Sequence, residues 1–161
     1  MVKAKEQKTC CPKFDPKPWD EKEFVWKNKL FIKDEVKSFM HIPLNIGPVT
    51  QKMWRKVKEA KAEMPEGEFI LLSYEQSSWK SIQYLSVSKE VPDAENVQLS
   101  GTYLTKVFEG PYKEAPNWHR EMTNYVKGKG KEVKKIYFYY TTCPKCAKIY
   151  GKNYVVAFAE V

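Results

Sequence analysis

One pattern occurs in both halves of this chain and limits the folds open to it. In each half a β-rich segment precedes a Gly-Pro pair, and apolar residues at helical spacing follow, then two further β-rich segments. The two pairs are Gly47-Pro48 and Gly110-Pro111. Proline suits the first turn of a helix, because the N–H that it lacks would have no partner there. The pattern therefore predicts a duplicated β-α-β-β unit.

Such a duplication predicts an α+β fold in which two helices pack on a mostly antiparallel sheet. We expect repeats at about 34–90 and 98–161, which together form one domain of residues 34–161. An irregular, Lys- and Pro-containing N-terminal arm of residues 1–33 precedes it, and Trp19 is expected to dock this arm. The seam between the repeats is the expected small-molecule site, since ligand sites are commonly concave.

The local patterns also predict where each element lies. In the first half a strand, a helix and two strands are expected at 35–42, 49–64, 69–73 and 81–88. In the second half strands are expected at 101–108, 133–142 and 153–161, with a helix marked by Trp118, Met122, Tyr125 and Val126. A loop at 143–151 has no counterpart in the first half.

The formal net charge of +8 does not indicate nucleic-acid binding, because the lysines are scattered among glutamates, as at 52–63. No apolar run approaches the roughly 18 residues of a membrane helix. The first residues also lack the apolar core of a signal peptide. We therefore expect a cytoplasmic protein with neither nucleic acid nor membrane as partner. No cofactor is expected, because no phosphate-binding Gly-rich loop occurs in the sequence.

Tyrosine and tryptophan are abundant, with ten and five residues, and combine an apolar ring with a polar group. Strand alternation places Tyr137 and Tyr139 on one face, opposite Ile136 and Phe138. Core packing is the simpler explanation for any one of these aromatic residues. Several of them at strand edges and helix starts predict an aromatic cage for an aromatic or cationic ligand. The predicted cage consists of Trp79, Tyr103, Tyr112, Trp118, Tyr137 and Tyr139.

A carboxylate beside such a cage would be the acid or base of a reaction. Glu121 follows Trp118 by one helical turn, and Glu75 and Glu109 are further candidates. Burial among aromatic rings raises the pKa of a carboxyl group, so that it exchanges a proton near neutral pH. The alternative for each of these residues is a solvated surface position. Glu121, Trp79 and Tyr137 are the predicted catalytic residues.

The order strand, Gly-Pro, helix and hairpin, together with residues 108–112 (Phe-Glu-Gly-Pro-Tyr), resembles the GyrI-like small-molecule-binding family. Trp79 at the start of a strand is similar to the family pattern. The resemblance implies binding of planar, often cationic compounds between the repeats. One similar subfamily, the cyclopropanoid cyclopropyl hydrolases, opens the strained ring of yatakemycin-type alkylating compounds within an aromatic cage. The resemblance therefore implies a protein that binds hydrophobic aromatic xenobiotics and that, in addition, hydrolyses strained cyclopropanes.

The chain departs from that family at the strand after the second helix, where many members carry a glutamate. Residues 134–138 read Lys-Lys-Ile-Tyr-Phe and contain no acid. If a cation is bound or a proton is moved, another carboxylate must serve. A module that binds without catalysis is therefore kept as an alternative, and the oligomeric state is left open.

The cysteines allow a third class, a zinc-stabilised interaction protein. The spacing Cys143-Pro144-Lys145-Cys146 is half of a four-ligand zinc site, and Cys10 and Cys11 are candidates for the other half. A thioredoxin-like pair is disfavoured, because no long helix follows Cys146. Free thiols in a tight turn remain the other explanation.

Zinc analysis separates these readings of the cysteines. A zinc site predicts stoichiometric zinc in the purified protein and its loss in Cys143→Ser, because a structural site needs all four ligands. Elemental analysis of the purified native protein and of Cys143→Ser measures the molar ratio of zinc to protein directly. Metal-free protein with unchanged thermal stability would exclude the site.

Overall fold

The computed structural model describes residues 14–39, 42–43, 45–65, 68–141, 151 and 153–161. It has two α-helices, α1 (Ile46–Glu59) and α2 (Ala115–Gly128), and a 3₁₀ turn at Tyr112–Glu114 precedes α2. The strands are β1 (Glu23–Phe39), β2 (Ile42–Pro43), β3 (Leu71–Ser77), β4 (Lys80–Ser86), β5 (Glu95–Glu109), β6 (Lys135–Tyr140) and β7 (Tyr154–Glu160). The predicted α+β class is confirmed.

Six of the strands close into an antiparallel barrel. Their order is β1-β4-β3-β6-β7-β5, and β5 pairs again with β1, while the two-residue β2 extends the sheet beside β1. The pairings repeat between the halves: β1–β4 and β3–β4 in the first correspond to β5–β7 and β6–β7 in the second. The halves meet at β3–β6 and at β1–β5. This arrangement confirms the duplicated β-α-β-β unit.

Both helices pack on the outside of the barrel through one apolar face. Val49, Met53 and Val57 of α1, four residues apart, are buried together with the β1 and β4 residues that point outward. Trp118, Met122 and Val126 of α2 do the same against β5, β6 and β7. No helix in the described part of the chain is long and apolar enough to cross a membrane.

The barrel interior is a separate cluster to which neither helix contributes. It is formed by buried residues of the strands and by Ile70 just before β3, and most of them are aromatic: Phe31, Ile70, Leu72, Tyr84, Tyr103, Tyr137, Tyr139, Val156 and Phe158. Tyr137 and Tyr139 lie in it, whereas Ile136 and Phe138 pack with α2 outside. The predicted alternation along β6 is therefore confirmed.

The first strand begins much earlier than the sequence indicated. Residues 23–33, placed in the arm, form the first part of β1 and belong to the barrel. The pairing of β1 with β5 shifts register between Trp26 and Lys29, and Asn28 there has a positive φ of 54°. Such a β-bulge interrupts the period of two by which a strand is recognised. The alternation therefore could not be followed through this segment.

Helix α1 ends at Glu59 instead of continuing to residue 64. Lys61 has a left-handed φ of 52°, and the Ala62 N–H donates to the Val57 carbonyl at 3.0 Å. This closing hydrogen bond satisfies a carbonyl that has no partner at the helix end. The helix therefore stops before the Pro-Glu-Gly sequence that was expected to end it.

The described part of the arm closes one end of the barrel. Phe14 and Trp19 lie against Tyr139, with ring centroids 6.3 and 5.7 Å away. The Val107 N–H donates to Asp20 Oδ1 at 3.0 Å, and the Thr105 N–H donates to the Lys22 carbonyl at 2.9 Å. The predicted docking by Trp19 is confirmed.

Gly110 provides a test of the turn that connects β5 to α2. Its φ of +143° is unfavourable for a residue with a side chain, and an added Cβ would contact Trp118 Cζ2 at 3.6 Å. We expect Gly110→Ala to lower the free energy of unfolding by about 1 kcal/mol or more. Gly128→Ala is the control, because it has open space and is expected to be neutral or stabilising. Denaturant unfolding that showed equal effects would contradict this account.

Candidate active site

Three tyrosines gather around Tyr137 inside the barrel. Its ring centroid lies 5.5 Å from that of Tyr74, 5.7 Å from that of Tyr84 and 6.3 Å from that of Tyr103. They come from β3, β4, β5 and β6, so both repeats contribute. We refer to Tyr74, Tyr84, Tyr103 and Tyr137 as the tyrosine cluster.

Two residues of β1 extend the tyrosine cluster into a closed circuit of rings. Trp26 lies 4.4 Å from Tyr103 and 5.7 Å from Phe31, and Phe31 lies 6.5 Å from Tyr84. The contacts of Tyr84 and Tyr103 with Tyr137 complete the circuit. Tilted and edge-on pairs at such distances contribute about 0.5–1.5 kcal/mol each beyond area burial. Trp26, Phe31, Tyr84, Tyr103 and Tyr137 thus form a preorganised aromatic wall.

Three hydroxyl groups of the tyrosine cluster have no hydrogen-bond partner among the described residues. Among the described residues, no buried polar side-chain atom lacks a hydrogen-bond partner. Within the described residues the hydroxyls of Tyr84, Tyr103 and Tyr137 form no hydrogen bond, so each oxygen keeps a small contact with solvent although the residues are buried. A ligand in place of that solvent would meet three phenol groups that donate or accept hydrogen bonds.

The same phenols stay neutral to high pH. Burial, followed by the charge of Glu160, raises the pKa of Tyr103 to about 12. Burial also raises the pKa of Tyr137 far above its usual range, and Tyr84 and Tyr103 add to this effect. A neutral phenol is a hydrogen-bond donor to oxygen that gains negative charge.

Glu160 is a carboxylate that lies beside the tyrosine cluster. It is paired with Lys135 across β7 and β6, and it shares the inward side of β7 with Phe158. An added Cβ on Gly101 would lie 3.8 Å from Glu160 Oε1, which places the carboxylate against the β5 backbone beside Tyr103. Glu160 forms no ion pair or side-chain hydrogen bond within the described chain. Its position follows from strand register, which no local sequence signal reveals.

The structure does not bring Trp79 into this group. Trp79 is 59% exposed at the turn between β3 and β4, where its ring lies 5.5 Å from that of Phe39. It lies five residues before Tyr84 in the chain, a distance of about 16 Å for extended backbone. A small ligand against the tyrosine cluster does not span that distance.

The predicted residues of α2 also lie elsewhere. Trp118 is buried outside the barrel and stacks on Phe108, with ring centroids 5.9 Å apart. Glu121 is exposed on the solvent side of the same helix. Tyr139 lies inside the barrel, but the arm covers it. The side chain of Tyr112 lies outside the described part of the structure.

The other residues that the sequence suggested do not form a second site among the described residues. Glu109 and Glu75 are exposed, at the end of β5 and in β3 respectively. All four cysteines, the candidate zinc ligands Cys10, Cys11, Cys143 and Cys146, lie outside the described residues. Within the described residues no group of three or more His, Cys, Asp or Glu side chains is placed to hold a metal.

A surface groove of about 210 Å³ beside α1 is one alternative location for a ligand. Its charged groups already form pairs: Lys52 Nζ lies 3.0 Å from Asp34 Oδ2, and Lys33 Nζ lies 3.2 Å from Glu95 Oε1. It has no aromatic lining residue among those described. This groove therefore suits an aromatic ligand less well than the tyrosine cluster does.

The comparison with known families concerns the whole chain. A family model described as bacterial hydrolase matches residues 1–161. No curated protein matches the chain. The resemblance to the GyrI-like family stays a prediction.

The tyrosine cluster predicts a specific response to alkaline pH. Burial in the folded state favours the neutral form of Tyr103 and raises its pKa to about 12. The contribution of this residue to folding stability is therefore complete below the ordinary pKa of 10.0 and is lost as pH rises through about 12. We expect Tyr103→Phe to remove one phenol that ionises near pH 12 from the ultraviolet absorbance titration. If Tyr103→Phe instead removed a phenol that ionises near pH 10, the raised pKa attributed to burial of Tyr103 would be wrong.

Proposed function

This chain belongs to the bacterial hydrolase family, and we propose on that premise that it binds a hydrophobic aromatic compound at the tyrosine cluster and hydrolyses it there. The observation that carries this proposal is the grouping of three rings around Tyr137 with Glu160 beside them. The tyrosine cluster thus combines an aromatic wall, hydrogen-bond donors and a neighbouring carboxylate.

The aromatic wall supplies affinity and orientation. A flat ligand gains stacking and edge contacts with rings that already contact one another, so few side chains need to be ordered on binding. Trp26 is partly buried and provides a nearly apolar ring, Phe31 packs fully buried behind it, and the tyrosines provide polar edges. The ligand class that suits this surface is a planar, hydrophobic aromatic compound.

Glu160 is the proposed general base. Its carboxylate accepts a proton from a water molecule, and the water oxygen then attacks the electrophilic carbon of the bound compound. Glu160 is partly exposed, so water reaches it. The proton held by the carboxyl group is returned to the product or to solvent when the reaction ends.

The neutral phenols are the proposed electrophilic partners. For a cyclopropane conjugated to a carbonyl group, water forms a C–O bond and the strained C–C bond breaks. The electron pair of that bond moves to the carbonyl oxygen, which a phenol of the tyrosine cluster stabilises by donating a hydrogen bond. After proton transfer, the product differs from the substrate by one added water. We propose cyclopropane-bearing alkylating agents as the substrate class on this chemistry.

Turnover is tested with purified protein and a cyclopropane-bearing alkylating agent. We expect mass spectrometry to detect a product heavier by one water, formed well above the rate without protein. Removing the Tyr137 hydroxyl with Tyr137→Phe is expected to lower kcat by about 10²-fold or more, as for loss of one oxyanion donor. Glu160→Gln is expected to lower it by about 10²–10⁴-fold.

Three further variants serve as comparisons. Tyr125→Phe makes the same chemical change on α2, outside the barrel, and is expected to retain activity. Glu121→Gln and Trp79→Ala test the residues that the sequence favoured. If either of these abolishes turnover while Glu160→Gln does not, the reaction takes place outside the tyrosine cluster.

Binding without turnover is the second candidate. It is favoured by one feature: the hydroxyls of Tyr84, Tyr103 and Tyr137 form no hydrogen bond with any described carboxylate. An unchanged compound that nevertheless raises the melting temperature would establish this function. Loss of that shift in Tyr137→Phe would locate the binding at the tyrosine cluster.

A further inference from the structure

We propose that the compound accepted at the tyrosine cluster carries no positive charge, because ammonium groups of the chain, that of Lys29 above all, already occupy the cation positions on the rings. This inference rests on the proposed function and specifies its ligand as neutral or anionic. It departs from the aromatic or cationic ligand that the sequence indicated.

Lys29 occupies the position that a ligand cation would take. Its Nζ lies 5.7 Å from the ring centroid of Trp26 and 5.9 Å from that of Phe31. Both rings belong to the closed circuit that includes Tyr84, Tyr103 and Tyr137. Ring faces attract cations within about 6 Å of the centroid, so two faces are already engaged by one ammonium group.

The ring contact is the main partner of this ammonium group. Lys29 is half-buried and forms no salt bridge within the described chain. Burial lowers the pKa of Lys29, and the charge of Glu68 opposes this effect. A second cation brought beside Lys29 would therefore meet a charge that no bound carboxylate neutralises.

Two more lysines, Lys135 and Lys33, lie close to tyrosines of the cluster. Lys135 Nζ lies 5.1 Å from the ring centroid of Tyr74. Lys33 is close enough to Tyr84 to oppose the rise in its pKa that burial causes, and it is paired with Glu95 at 3.2 Å. Three carboxylates face these three ammonium groups: Glu95, which is paired with Lys33, and Glu68 and Glu160. The lysines already held over the rings of Trp26, Phe31 and Tyr74, rather than an excess of positive charge, therefore disfavour a cation there and leave a neutral or anionic ring as the ligand.

A series of three isosteric probes separates charge from shape. We would measure the Kd values of 2-naphthylmethanol, 2-naphthoate and 2-naphthylmethylammonium, which are neutral, anionic and cationic at pH 7. For the native protein we expect the cation to bind about tenfold or more weakly than the neutral probe, from repulsion within several ångströms. The anion is expected to bind at least as tightly as the neutral probe.

Lys29→Met tests the residue, because methionine retains an unbranched apolar side chain and removes the charge. We expect the ratio of cation to neutral Kd to fall to about twofold, with the neutral Kd nearly unchanged. Lys27→Met is the matched control, since it removes the same charge from an exposed neighbour and is expected to leave the ratio unchanged. Lys29→Gln provides a second variant if Lys29→Met lowers the melting temperature.

Each result decides the inference. A cation that binds the native protein as tightly as the neutral probe overturns it, and so does an equal change of the ratio in the Lys27 and Lys29 variants. If the neutral probe binds and Tyr137→Phe weakens it, the proposed site stands whatever the charge ranking. If the neutral probe does not bind at all, the proposed site fails and this inference fails with it.

Discussion

The pairing of β1 with β5 is the contact on which the rest of the molecule depends. It runs from Glu23 opposite Leu104 to Lys33 opposite Glu95, and it is the second of the two junctions between the repeats. Without it the sheet would be open, with two unpaired edges and an aromatic face exposed to water. Closure turns that face inward, so that Trp26 of β1 lies 4.4 Å from Tyr103 of β5. Both the core and the candidate site follow from that closure.

The two ends of the barrel differ although the units repeat. At one end Phe14 and Trp19 of the arm cover Tyr139, and backbone hydrogen bonds from β5 hold the arm in place. The phenols of the tyrosine cluster are not covered in this way, and their hydroxyls reach solvent. A segment outside the duplicated units thus makes the two ends of a nearly symmetric barrel different. In the proposed function the repeats would build the wall, and the arm would decide which part of it stays available.

Polar chemistry is confined to the edge of this apolar interior. Glu160 and Lys135 lie opposite each other on neighbouring strands, one beside Tyr103 and the other over Tyr74. A carboxylate near neutral phenols and water is suited to hydrolysis, which agrees with the family of the chain. The lysines around the rings give the same site its proposed selectivity. Reaction and specificity would then depend on different residues of one cluster.

The sequence by itself determined the repeated unit, the two helices, the inward face of β6 and the docking of Trp19, since each is encoded in local periodicity or in a single large apolar side chain. It predicted an aromatic cage, of which Tyr103 and Tyr137 lie in the tyrosine cluster. Trp26, Tyr74 and Glu160 beside them were not predicted, because a bulge hides the alternation of β1 and because register decides which residues face one another across strands. Trp79 and Trp118 carry the same local signals but lie at a turn and behind the sheet. Only tertiary structure decided between them, because periodicity assigns a residue to a face of its own strand, and barrel closure and register assign its neighbours.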